Sequence, residues 1–227
     1  MKKVVLILLC VIISISAFAD TESLGTLGFQ YGSYWEKMTK PEGTAKTWIG
    51  SPGLFYNGYA FFNKKNIGLF IDDSFLFPSN SSATVNGITV KDGVKDFDFR
   101  FLFQFGIGPA FRYSITNKLG IHLGAGFHIS MLSANTNRTV INPVTFRTSR
   151  IEIRSFSLGL GIMGDIGLKY DITDMVYFDI GSKLALDFAS YAKISSNILA
   201  LNASQWNSNY IGFHLLPYIG LGFKLPF

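Results

Sequence analysis

Residues Phe97 to Phe111 read FDFRFLFQFGIGPAF, and this stretch decides the fold. Every odd position except Pro109 carries a large apolar side chain, whereas the even positions are charged, amide-bearing or small apart from Leu102. A two-residue period indicates a β-strand, because successive side chains of a strand point to opposite faces. The run is longer than the strands of soluble proteins, about 5–6 residues, and suits the about 9–11 residues of a tilted strand that crosses a bilayer. We therefore predict a transmembrane strand with its phenylalanines toward lipid. The alternative is a long strand of a soluble β-protein.

The composition of the chain favours a β-barrel in a membrane. Its 227 residues include 22 Phe and 10 Tyr, only 15% of them are charged, and the mean hydropathy is +0.28. Beyond the N-terminus no apolar run approaches the about 18 residues of a transmembrane helix, which excludes a helical membrane bundle. The length suits a single all-β domain. The net charge is +5, or about +3 without Lys2 and Lys3, which is too small to predict a nucleic-acid partner.

Residues 1–19 have the organisation of a secretory signal peptide. Lys2 and Lys3 precede an apolar run, and the segment Ala17-Phe-Ala19 supplies the small residues of a cleavage site before Asp20. Cleavage between Ala19 and Asp20 would leave residues 20–227 as one barrel domain. That domain contains no cysteine, because Cys10 lies within the signal, so disulfides and thiol chemistry are excluded.

Alternating patterns predict eight antiparallel strands, over residues 24–35, 54–62, 67–75, 97–111, 119–129, 156–168, 176–188 and 211–227. Short turns are expected after the second, fourth and sixth strands. Long loops are expected at 36–52, 78–96, 133–154 and 189–208. This asymmetry is typical of outer-membrane barrels, which have tight periplasmic turns and longer external loops. With an even number of strands, both termini would be periplasmic.

The last nine residues, IGLGFKLPF from Ile219 to Phe227, have apolar side chains at every second position and end on an aromatic residue. This ending resembles the C-terminal assembly signal of bacterial outer-membrane proteins. With the signal peptide and eight strands, the whole mature chain resembles the small eight-stranded barrels of the OmpW type and the transmembrane domain of the OmpA type. The resemblance implies a monomeric integral outer-membrane protein, recognised by the barrel-assembly machinery through Phe223, Leu225 and Phe227. No motif predicts a cofactor.

Charged side chains fall on the inward faces of the predicted strands. An Arg or Lys on the lipid face would cost about 2–4 kcal/mol at the bilayer midplane, and the lumen of an eight-stranded barrel is barely wider than its own side chains. We therefore expect the charges to pair and fill the lumen, the alternative being a narrow polar path. Asp165, Asp179 and Lys183 are expected to form one cluster. The whole set is Asp72, Asp98, Arg100, Arg112, Asp165, Lys169, Asp179, Lys183, Asp187 and Lys224.

His122, His128 and His214 also fall on inward faces. His122 and His128 lie about 20 Å apart along one strand at ~3.3 Å per residue, so they cannot share a metal ion. No metal site is predicted.

The segment His128-Ile-Ser130 resembles the His-x-Ser of the PagL-type lipid A deacylases, with Glu152 as a candidate third member. In that family the site faces lipid. Here the alternation turns His128 and Ser130 inward, so no catalytic role is predicted and this trio remains the enzymatic alternative.

The sequence Gly159-x-Gly161-x-x-Gly164 matches a dinucleotide fingerprint by letter. The fingerprint requires a following helix, whose N-terminus holds the phosphates. Here Ile166 and Leu168 continue the strand pattern, so the glycines are expected to leave space in the lumen.

The predicted loop up to Arg154 is basic, with Arg138, Arg147, Arg150 and Arg154 against Glu152 alone. It is either a solvated loop or a surface that binds anionic lipid headgroups or host polyanions. Trp48 and Trp206, in other predicted loops, are expected at the outer interface.

Three functions remain open on the sequence alone. The first is a surface or membrane-structural role of the barrel, or an OmpW-like passage of small solutes. The second is modification of a membrane lipid by the His128, Ser130 and Glu152 trio. The third is adhesion through the external loops.

Overall fold

The computed structural model describes residues 21–40, 43–62, 66–85, 87–91, 93, 97–141, 148–196, 201–207 and 209–226. The predicted signal peptide, including Ala19 and Asp20, lies outside these residues. The strands are β1 (Thr21–Lys40), β2 (Gly43–Phe62), β3 (Ile67–Leu76), β4 (Asn80–Val85), β5 (Ile88–Lys91), β6 (Phe99–Ser114), β7 (Leu119–Ile141), β8 (Thr148–Asp171), β9 (Val176–Ser196), β10 (Leu201–Asn207) and β11 (Tyr210–Pro226).

Eight of these strands close into a ring in the order β1, β2, β3, β6, β7, β8, β9 and β11, with β11 pairing back to β1. All neighbours in the ring are antiparallel. The hairpin of β4 and β5 adds to one end of β2, and β10 adds to one end of β9. In the described part of the chain, no helix is long and apolar enough to cross a membrane. The predicted all-β, eight-stranded barrel is confirmed.

The two faces of the wall differ as the alternation predicts. On the outer face, Leu27, Phe29 and Phe127 are 60%, 70% and 75% exposed. On the inner face, Gln104 and Lys183 are buried. A soluble sandwich would bury those aromatic rings against a second sheet, so the soluble alternative is wrong.

The four predicted long loops are wrong over much of their length. The ladder of β1 with β2 continues to Lys40 and Gly43, and that of β7 with β8 continues to Ile141 and Thr148. The predicted loop 78–96 contains β4 and β5, and the loop 189–208 contains the end of β9 and β10. Backbone pairing continues into segments where polar residues interrupt the alternation, as at Glu36 to Lys40 and Ser133 to Thr139, so the hydropathy pattern that marks a half-buried strand is lost there.

The barrel therefore has two unlike ends. The short-turn end carries the connections 62–67, 114–119 and 171–176, and the extended end carries the strand extensions and added strands. The lumen between them is filled by side chains in three successive layers.

Candidate functional site

The first layer of the lumen is a ring of ion pairs at the short-turn end. Arg112 donates to Glu22 at 2.6 Å, and Lys224 donates to Asp171 at 2.6 Å. Lys169 lies 3.0 Å from the same Asp171 carboxylate. Asp171 ends β8 at the rim, outside the spanning segments; burial raises its pKa, but the hydrogen bonds from Lys224 and Lys169 outweigh this and leave the pKa below its usual value. Three of the predicted lumen cations thus lie at one rim.

The second layer is organised around Lys183, whose side chain is fully buried. Its ammonium pairs across the lumen with Asp72 and approaches Ser74 Oγ at 3.2 Å. The ammonium also lies 4.4 Å from the centre of the Phe55 ring and 5.3 Å from that of Tyr218. A buried charge requires such partners, because an unpaired ion in the interior costs several kcal/mol.

Two further carboxyl groups complete this layer. Asp165 accepts a hydrogen bond from Tyr59, and Asp179 accepts one from Thr26 at 2.9 Å. Asp165 and Lys183 are opposite one another on β8 and β9, as expected, yet the ammonium pairs with Asp72 of the far wall. The expected cluster is therefore present but larger than predicted. It also includes Asp72 and the hydroxyl groups of Thr26 on β1 and Tyr59 on β2.

The third layer is centred on Asp187, which contacts two histidines. His128 Nδ1 lies 2.7 Å from one carboxylate oxygen, and His214 Nε2 lies 2.9 Å from the other. Ser130 donates to the same carboxylate at 2.7 Å. Gln104 bonds the second nitrogen of His214 at 2.6 Å. All five side chains are buried.

Gly159 makes room for the Asp187 cluster. A Cβ atom at this position would lie 2.2 Å from Asp187 Oδ2 and 2.4 Å from Ser130 Oγ. Gly159, Gly161 and Gly164 all lie within strand β8, with no helix following. The structure therefore rejects the dinucleotide interpretation.

The donor atoms of His128, Asp187 and His214 lie within 4.8 Å of one another, so these residues have the types and proximity of a cation site. His122 and His128 lie near different carboxylates, those of Asp179 and Asp187. The alternation places His214 inward, but it gives no sign that β11 brings this residue next to His128. Hydrogen bonds already engage both oxygens of Asp187. The prediction of no metal stays a prediction.

The enzymatic trio is not assembled. Ser130 donates to Asp187 and not to His128, whose Nε2 atom has no hydrogen-bond partner among the described residues. Glu152 instead pairs with Arg154, an exposed arginine two residues along β8. A hydrolytic relay needs the nucleophile hydroxyl within hydrogen-bond reach of the base, and this geometry does not provide it.

Other predicted residues lie away from the lumen layers or outside the described side chains. Asp98 is exposed just before β6 and accepts a hydrogen bond from the Asn137 amide at 2.7 Å. Arg100 is half-buried near the extended end and approaches the Phe97 carbonyl at 3.5 Å. Phe223 is 50% exposed on the outer face. Phe227 and Arg147, and the side chains of Leu225, Arg138, Arg150 and Trp206, lie outside what the structure describes.

Sequence reasoning missed Asp73. The alternation of β3 places it with Ile71 and Phe75 on the outer parity, opposite Tyr56 and Phe105 in the neighbouring strands. It is nevertheless only 6% exposed, which sets it apart from the outward apolar side chains around it. The doublet Asp72-Asp73 was the available signal, because two successive residues of a strand cannot both face the lumen.

No protein-family model and no curated protein matches the chain. Among solved structures, the outer membrane protein OprG from Pseudomonas aeruginosa is similar, with 11% identity, a TM-score of 0.53, and coverage of 90% of this chain and 95% of that one. Neisserial surface protein A matches with 16% identity, a TM-score of 0.41, and coverage of 88% and 97%. At such identities the likeness concerns the fold, which is that of the small outer-membrane β-barrels.

Proposed function

We propose that this chain is a monomeric outer-membrane barrel with a closed lumen, which serves the structure and external surface of the membrane and is not an open pore. The buried Lys183–Asp72 pair carries the proposal, because it joins opposite walls of the barrel. The layers on either side, around Asp187 and around Asp171, lie along the same lumen. A hydrated ion would have to break these contacts to pass.

The orientation belongs to the same proposal. The short-turn end would face the periplasm and the extended end the exterior, as in barrels with tight periplasmic turns and long external loops. The outward position of Phe223 on β11 suits recognition by the barrel-assembly machinery together with Leu225 and Phe227.

Planar-bilayer recordings of the refolded protein test the closed lumen. We expect no discrete conductance events above those of protein-free bilayers. Folding is verified in the same preparation by a gel band that resists detergent until the sample is heated. Discrete events, or loss of small-solute uptake in a deletion strain, would contradict the closed lumen and favour the OmpW-like passage.

A further inference from the structure

A groove of about 360 Å³ lies on the outer wall near the extended end, across β11, β1, β2 and β4. We call it the tryptophan–lysine groove. Its defining residues are Trp35, Lys37, Lys46, Trp48, Ile211 and Phe213. It lies on the outer wall and is separate from the three lumen layers. Trp48, which the sequence predicts at the outer interface, lines it.

The groove is built in two rungs of the sheet. Trp35 is directly opposite Trp48 in the β1–β2 pair, and Lys37 is directly opposite Lys46. The Trp35 ring packs 5.7 Å from that of Phe213 on β11. An aromatic floor on the lipid-facing wall is therefore followed, toward the extended end, by a rung of two ammonium groups.

The lysine rung is unfavourable by itself. Like charges directly opposite each other on one face of an antiparallel pair are destabilising. Among the described residues, neither lysine has a carboxylate partner. Glu36 borders the groove, but its carboxylate accepts a hydrogen bond from Tyr34 on the lumen side at 2.8 Å. An anion between the two ammonium groups would relieve this repulsion.

We propose that the tryptophan–lysine groove binds the phosphomonoester headgroup of a membrane lipid in the leaflet at the extended end. This inference rests on the proposed membrane insertion and orientation. A phosphomonoester carries close to two negative charges at neutral pH and three acceptor oxygens, which match two ammonium groups. Ser82 and Thr84 of β4 also line the groove and supply hydroxyl donors. Lys91 on β5, opposite Ser82, adds a third cation to the same side of the wall.

The position of the groove relative to the membrane surface favours a lipid over free phosphate as its ligand. Tryptophan prefers the membrane interface, and the lysines lie two residues farther out, about 7 Å at ~3.3 Å per residue. Trp35 and Phe213, two residues below the cations, are each 40% exposed, and Ile211, directly opposite Lys37, is 59% exposed. These side chains leave apolar surface for acyl chains below and beside the cations. Free phosphate would use none of this surface.

Tryptophan quenching by brominated lipids tests the site when Trp206 is replaced by phenylalanine throughout, because the two remaining tryptophans, Trp35 and Trp48, line the groove. The protein is refolded into phosphatidylcholine vesicles that contain brominated phosphatidic acid, a phosphomonoester, or brominated phosphatidylglycerol, a phosphodiester. We expect phosphatidic acid to be enriched at the tryptophans over phosphatidylglycerol. The K37Q/K46Q variant should lose this enrichment, so that the two brominated lipids quench its tryptophans equally. The matched control is K193Q, an exposed lysine near the extended end of β9, and it should keep the enrichment.

Equal quenching by the two lipids, or equal enrichment in K37Q/K46Q and the unaltered protein, would overturn the site. Brominated phosphatidylcholine separates this failure from failure of the proposed function. If it quenches the tryptophans, the barrel is inserted and only the headgroup site is wrong. If it does not, membrane insertion itself is contradicted.

Discussion

At the residue scale, the polar core of the lumen depends on positions that lack a side chain. The Asp187 carboxylate and the Ser130 hydroxyl occupy the volume where a Cβ of Gly159 would lie, at 2.2 and 2.4 Å. Neither neighbour can withdraw without losing a buried hydrogen bond. The Asp187 cluster therefore requires glycine at position 159.

Gly159→Ala is expected to lower the free energy of unfolding by about 1–3 kcal/mol, the usual cost of overpacking a tight core. The measurement is urea unfolding in detergent micelles, followed by tryptophan fluorescence. Gly164→Ala is the control in the same strand, because the nearest atom to its added methyl group is 3.7 Å away. Equal losses in the two variants would mean that strand propensity, and not the Asp187 cluster, sets the cost.

The alternation of the sequence predicts whether a side chain faces the lumen or the lipid. It does not predict which residue that side chain contacts on the opposite wall. The alternation placed Asp165, Lys183 and Asp187 inward, where they lie. Lys183 pairs with Asp72, 111 residues away, because the stagger of the closed ring brings those two strands to one level. No local signal records that stagger. The convergence of His128, His214 and Asp187 was hidden for the same reason.

At the element scale, strand ends are where the sequence was least informative. In β7 the alternation is clear up to about residue 130, within the part that lipid or lumen surrounds, and the strand then continues to Ile141. The extension is held by pairing with β8. Trp48 was assigned to a loop for this reason, although it stands within β2 opposite Trp35.

The end of β11 is held to the short-turn end of β8 by the Lys224–Asp171 pair. The pKa of Asp171 is lower in the folded state than in the unfolded chain, so the pair contributes stability above the unfolded pKa, about 3.9. That contribution is lost as the pH falls through the folded value.

Asp171→Asn should therefore destabilise the barrel near neutral pH and have no effect in strong acid. We expect a loss of about 1 kcal/mol or less, because the rim is reached by water. Urea unfolding at a series of pH values measures it. Asp174→Asn is the control, because Asp174 is exposed in the same turn. This variant should leave the free energy of unfolding unchanged. A loss that is the same at every pH would contradict the ionic origin.

At the scale of the whole molecule, stability depends on closure. β1 pairs with β2 on one side and with β11 on the other, so it joins the first and last parts of the ring. An open sheet in lipid would leave a row of unsatisfied backbone groups, each costing several kcal/mol. The ring should therefore open in one step, and a break in β1 should affect every layer of the lumen.

Leu27 lies within β1, directly opposite Tyr56 on β2 and Leu221 on β11. Its side chain is 60% exposed on the outer face. Leu27→Pro removes a backbone donor from a strand paired on both sides, which proline tolerates poorly. We expect the unaltered protein to shift in gel mobility only after heating in detergent, and the proline variant to migrate as unfolded without heating. Leu27→Ala keeps the donor and should retain the heat-dependent shift. If the proline variant retained it as well, β1 would not be needed to close the barrel.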